Sequence, residues 1–215
     1  DGMGGQRGGE DASRLAAQSV VDGVAAGLGA LPADSDATAV LRGLEGLFAG
    51  ANERLMAEVR RNPALWGLGT TLTVGVVHGE RLLFGHVGDS RLYLWRAGVC
   101  QQLTEDHTRA DELARQGVLT PEQASRSPQR NVLIRHLGAP RAVSPQLGGC
   151  DLRPGDRLLL CSDGLYTGLA PERLQRLLGL DREPGEVAAG LVAHARSGAA
   201  GPLDNITALV VAIDG

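Results

Sequence analysis

Four aspartates in this sequence share one local signature, and together they suggest a cation site. Asp1 stands before a run of glycines in Asp-Gly-Met-Gly-Gly, Asp89 lies in Gly-Asp-Ser-Arg, Asp163 in Ser-Asp-Gly and Asp204 in Asp-Asn-Ile-Thr. Each falls where the pattern has a strand meeting a turn. A carboxylate is a hard oxygen ligand of the kind magnesium and manganese prefer, and glycine lets backbone carbonyls approach an ion without side-chain obstruction. Strand ends are also where a scaffold presents functional groups, and carboxylates gathered there repel one another unless a cation holds them. The competing reading is that Asp and Asn begin turns for purely local reasons, which suffices for any one of the four taken alone.

The elements that must position these residues follow from periodicity. From Asp11 the spacing predicts a helix with Ala17, Val20, Val21, Val24 and Leu28 on one face, ended by Leu31-Pro32. A second helix, capped by Ser35 or Asp36 and stopped by Pro63, carries Val40, Leu41, Leu44, Leu47, Phe48, Ala51, Leu55 and Val59. Four strands are then expected in an antiparallel meander: Thr70 to Val77, Arg81 to Val87, Arg91 to Arg96 and Val99 to Leu103, joined by turns at His78-Gly79-Glu80, Gly88-Asp89-Ser90 and Ala97-Gly98. A polar excursion from Thr104 to Pro128 holds short helices at Arg109 to Gln116 and Pro121 to Ser125. Strands follow at Val132 to Leu137, Gln146 to Leu152 and Arg157 to Cys161, then helices at Pro171 to Leu178 and Glu186 to Ala195, and a closing strand from Asn205 to Ile213. Strands in succession, rather than alternating with helices, make the class α+β.

Composition excludes several kinds of chemistry. All 21 basic residues are arginine, so mechanisms that need a lysine, such as the P-loop or a Schiff base, have no candidate. The formal charge of -4 argues against a nucleic-acid partner. Cys100, Cys150 and Cys161 show no paired spacing, which fits a reducing cytoplasm. No apolar run has the length of a membrane span, and the first residues do not resemble a signal peptide. The 215 residues have the length of one globular domain, and with 3% aromatic residues its core must be built from Leu, Val, Ile and Ala.

Six motifs in order carry a family resemblance: Asp-Gly-Met-Gly-Gly, Gly-Thr-Thr-Leu at 69–72, Gly-Asp-Ser-Arg at 88–91, Leu-Thr-Glu-Asp-His at 103–107, Cys-Ser-Asp-Gly-Leu at 161–165 and Asp-Asn-Ile-Thr at 204–207. The series resembles the metal-dependent protein phosphatases, the type 2C serine/threonine phosphatases, in their bacterial form. That resemblance implies a four-layer α-β-β-α sandwich, with two central antiparallel sheets flanked by helix pairs. It implies two or three Mn2+ or Mg2+ ions: Asp1 bridging two of them, Gly2 offering its carbonyl, Asp163 and Asp204 holding the first, and Asp89 with Asp163 holding a third. A water acidified toward hydroxide would attack phosphorus without any side-chain nucleophile. Phosphorylated proteins, the targets of a bacterial Ser/Thr kinase, are the implied substrates of a cytoplasmic monomer. Residues 108–131 match the family's flap; in it and just beyond it, Arg126, Arg130 and Arg135 are candidates to meet a phosphate, with solvated surface arginines the favoured reading of each.

The residues also speak against cysteine chemistry. A cysteine phosphatase pairs its nucleophile with an arginine six positions on, and those positions here are Asp106, Asp156 and Thr167. Cys161 is read as core, and His107 as a support for its loop rather than a metal ligand. Two departures from the family pattern stand out. Met3 occupies a place where animal members carry a histidine, and a thioether cannot donate a proton. The family's domain also begins before the Asp-Gly motif, with an arginine for phosphate and further acidic ligands. Residues 1–215 are therefore expected to form a single phosphatase-like domain that is N-terminally incomplete. A catalytically impaired regulatory or binding module is the alternative to an active hydrolase.

Overall fold

The computed structural model describes residues 1–3, 5–30, 32, 35–198 and 204–214. In chain order the elements are β1 (Gly2–Met3), α1 (Gly5–Ala26), α2 (Ala37–Arg61), β2 (Gly69–Thr70), β3 (Leu72–His78), β4 (Arg81–Val87), β5 (Arg91–Arg96), β6 (Val99–Gln102), α3 (Arg109–Arg115), α4 (Pro121–Ser125), β7 (Gln146–Asp151), β8 (Arg157–Cys161), α5 (Asp163–Thr167), α6 (Pro171–Leu178), α7 (Pro184–Gly198) and β9 (Ala208–Ala212). They form two compact units, Asp1–Asp89 with Asp106–Cys150, and Ser90–Glu105 with Asp151–Gly215.

In the first unit, α1 and α2 cover a sheet of order β3-β4-β7. Asp36 caps α2 by accepting from the Ala39 N–H at 2.7 Å, and the helix buries Val40, Leu44, Leu47, Phe48, Ala51, Leu55 and Val59 much as its periodicity predicts. Phe48 fits because Gly85 on the central strand leaves it room; a Cβ there would stand 2.7 Å from the ring. The face expected for α1 is corrected in part. Val20 and Leu28 pack against the core as expected, but Ala17, Val21 and Val24 are exposed, and Gly9, Ala12, Ala16 and Ser19 face inward. Small residues win because α1 runs very close to β1: a Cβ on Gly9 would stand 2.4 Å from the Gly2 carbonyl oxygen. The helix begins at Gly5, inside the glycine run, rather than at Asp11. It ends at Ala26, and the expected stop at Leu31 lies outside the described residues.

The second unit is a sheet of order β6-β5-β8-β9, antiparallel throughout, packed against α6 and α7 through a core that includes Leu159, Leu165, Leu174, Leu178, Val187 and Leu191. A charge pair ties the end of β5 to the turn before β8. Arg96 Nε and Nη2 donate to the two carboxylate oxygens of Asp156 at 2.8 and 2.6 Å, and Asp156 is 1% exposed.

The four-stranded meander is also corrected. β3 and β4 pair from Leu72↔Val87 to His78↔Arg81, but β5 joins β8 and β6 in a different sheet, so Gly88-Asp89-Ser90 is a crossover and not a hairpin turn. Gly88, at φ +106°, allows the change of direction. Residues 132–137 form no strand; they make isolated bridges, Thr70↔Leu137 and Thr108↔Leu133, because they serve as ties rather than sheet. The short helix α5 was not expected.

Candidate metal site

The second unit brings Asp163 and Asp204 together, and each residue of Cys-Ser-Asp-Gly has a part in that. Cys161 ends β8 inside the core at 4% exposure. The Ser162 hydroxyl donates to the Asn205 carbonyl at 3.1 Å and accepts from the Thr207 N–H at 3.0 Å, stapling the two segments. Gly164 lets the first turn of α5 lie against Asn205, since a Cβ there would stand 2.5 Å from the Asn205 carbonyl oxygen. Asp163 is thereby held at the start of α5, opposite a segment that begins with Asp204.

This pairing is electrostatically uncomfortable. Burial raises the Asp163 pKa first, and the Asp204 charge raises it further; the Gly164 N–H and the Arg91 charge oppose the rise. Asp163 Oδ1 is buried with no hydrogen-bond partner among the described residues. A buried carboxylate oxygen with no donor, beside a second carboxylate, fits a divalent cation, which would supply the missing partner and cancel the repulsion. Among the described residues no group of three or more His, Cys, Asp or Glu could hold a metal ion. The observed feature is therefore a carboxylate pair.

Asp1, Gly2 and Asp89 lie in the first unit. The Asp1 carbonyl accepts from the Thr71 N–H at 2.9 Å and the Thr70 hydroxyl at 2.6 Å, while Gly2 pairs with Thr70 in the β1–β2 ladder. Thr71 also abuts Gly88, whose Cβ would stand 2.4 Å from the threonine methyl. Gly88 is gripped from two more directions. Its N–H donates to His107 Nδ1 at 3.2 Å, and its carbonyl accepts from the His107 N–H at 2.8 Å and from His86 Nε2 at 3.0 Å. The two rings stack at 5.0 Å. His107 thus supports its loop, as expected. Burial, then His86, Arg135 and Arg115, push its pKa down to about 3, so the ring is neutral. Asp89, 7% exposed, is engaged within the fold, unlike Asp163 Oδ1.

Neither Cys161, in the core, nor Cys100, whose pKa burial raises to about 11, offers a competing nucleophile. In the flap region, Arg126 pairs with Glu122 at the surface and Arg130 reaches the Ser127 carbonyl. Arg135, exposed, places Nη1 3.4 Å from His107 Nε2. Sequence reasoning quoted Ser162, Thr70 and Thr71 without giving them roles. Ser162 stands next to Asp163 in the sequence, which was the available signal; Thr70 and Thr71 meet Asp1 only through the fold.

The family model described as Protein phosphatase 2C matches residues 1–183. The chain belongs to that family. Serine/threonine protein phosphatase PstP of Mycobacterium tuberculosis is 40% identical over 210 residues, 98% of this chain and 38% of the relative. This chain therefore spans well under half of that relative's length. Protein phosphatase PhpP of Streptococcus pneumoniae is 32% identical over 214 residues, covering 100% of this chain and 84% of the relative. The crystal structure of the PstP catalytic domain in complex with two manganese ions superposes with a TM-score of 0.82 at 35% identity, covering all of this chain and 86% of that one. The member described above has the expected α+β fold of antiparallel sheets flanked by helices. Among its described residues no helix is long and apolar enough to cross a membrane.

Proposed function

We propose that this chain hydrolyses phosphoserine and phosphothreonine in proteins, with manganese or magnesium held by Asp163 and Asp204 together with Asp1 and the Gly2 carbonyl, and a third ion at Asp89. The observation that carries the reading is the buried Asp163 oxygen that lacks a partner beside Asp204. Family membership and the two manganese ions named for the PstP structure support a metal-dependent reaction. When bound, such ions acidify water for in-line attack on phosphorus. The chain's own work is to hold the carboxylates where cations neutralise them. Ser162 and Gly164 fix Asp163 against the Asp204 segment, and Thr70 and Thr71 fix the Asp1 backbone. The substrates are proteins phosphorylated by a bacterial Ser/Thr kinase.

The test is phosphate release from p-nitrophenyl phosphate and a phosphothreonine peptide, with Mn2+ and with EDTA. Turnover is expected with Mn2+, and Asp163→Asn is expected to lose on the order of a hundredfold or more. Release that is independent of metal, or that survives Asp163→Asn, overturns the reading.

A further inference from the structure

Arg91 carries a charge that the proposed reaction does not use. It opens β5 and pairs in register with Cys161, two residues before Asp163. Its guanidinium carbon lies 3.5 Å from the centroid of the Tyr166 ring, and Nη1 donates to the Tyr93 hydroxyl at 3.0 Å. Tyr93 is two residues along β5 and so shares a strand face with Arg91. Tyr166 sits three residues after Asp163 on α5, close to one helical turn on, so ring and carboxylate are neighbours on that helix.

A five-residue helix has too few internal bonds to fix its own direction. Ser162 and Gly164 tie its start to the Asn205 segment, and the stack on Tyr166 ties its later part to β5. We propose that Arg91 is a positioning residue: by clamping Tyr166 onto β5 it sets the direction in which α5 presents the Asp163 carboxylate to a cation. The proposal rests on the metal-dependent reading above. A planar guanidinium suits the task, because it stacks on a ring face while still donating from its edge, which an ammonium does not.

The experiment measures Mn2+ affinity, from the free-ion electron paramagnetic resonance signal, together with the melting temperature in EDTA. The proteins are the parent, Arg91→Lys, Tyr166→Phe, Tyr166→Leu and the double variant Arg91→Lys/Tyr166→Leu. Tyr166→Phe keeps the ring face and should bind Mn2+ within about twofold of the parent. Arg91→Lys and Tyr166→Leu should each weaken binding by about five- to tenfold, and the double variant should be no worse than the weaker single one. Parent-like affinity in both single variants overturns the proposal, and so do losses that multiply in the double. Lower melting temperatures with unchanged affinity show a clamp that serves stability alone and overturn it too. A parent that binds no Mn2+ refutes the metal reading itself, which separates that failure from this one.

Discussion

Replacing Asp163 by asparagine should stabilise the metal-free protein while removing its response to manganese. Asp163 Oδ1 is buried without a partner among the described residues, and the neighbouring Asp204 adds repulsion. Asparagine leaves a polar atom at the same place but removes the charge, so relief of its burial and of the repulsion from Asp204 should give a gain of about 1 to 2 kcal/mol at neutral pH. In a domain of this size 1 kcal/mol moves the melting temperature by about 2 to 4 °C, so the variant should melt about 2 to 8 °C above the parent in EDTA. Manganese at a hundredfold over its dissociation constant should stabilise the parent by about 2.7 kcal/mol. It should leave the variant nearly unmoved, so the order of the two melting temperatures inverts. The pH dependence has a definite sign. A raised folded-state pKa means that the folded form holds its proton where the unfolded form has lost it, so the penalty is full above the folded value and fades as pH falls through it. The advantage of asparagine should therefore shrink on acidification. Circular-dichroism melts at several pH values, with and without Mn2+, provide the check. A variant that melts below the parent in EDTA, or gains as much from Mn2+, refutes the reasoning.

Three further outcomes are expected. Gly88→Ala forces a side chain into φ +106° and to within 2.4 Å of the Thr71 methyl, so urea unfolding should show a loss of about 2 kcal/mol or more; parent-like stability would contradict the described turn. Arg96→Ala leaves Asp156, 1% exposed, with the Arg153 N–H but without its guanidinium and should cost about 1 to 3 kcal/mol, with Arg96→Lys recovering only part because the fork is lost. His107, held neutral by a pKa near 3, binds its proton in the unfolded chain first, so its contribution is complete above about pH 6.5 and falls by roughly 1.4 kcal/mol per unit below that. Urea midpoints between pH 7.5 and 5 should show this slope, and His107→Asn should flatten it.

Much of this architecture was legible because local chemistry and tertiary role coincide. The spacing from Val40 to Val59 reads as a helix and is one, since the residues that favour the helix are those that bury it. Arg81 to Val87, Pro121 to Ser125 and Pro171 to Leu178 likewise begin and end where turn and cap residues stand. Reading failed where partners were distant in sequence. Nothing local to Gly88-Asp89-Ser90 reveals that β5 leaves β4 for β8, because strand choice depends on residues some seventy positions on. The inward face of α1 was missed because hydrophobic periodicity ranks Val21 and Val24 above Ala12 and Ala16, although close approach selects for smallness. The same holds for the site. Its aspartates could be picked out by type, but the staple at Ser162 and the clamp at Arg91 exist only through residues from other segments.

The contact between α1 and β1 bears on how this chain tolerates change. A Cβ at Gly2 would stand 1.8 Å from the Gly9 carbonyl oxygen, and one at Gly9 2.4 Å from the Gly2 carbonyl oxygen, so each glycine is required by the other. Gly8, with nothing within 4 Å of its missing Cβ, is under no such demand, and alanine there should favour the helix by about 1 kcal/mol. A library randomised across the first ten residues would therefore return glycine at positions 2 and 9 and admit alanine at 8. The stretch that looks most like spacer would behave, under selection, as two interlocked sites with a permissive one beside them.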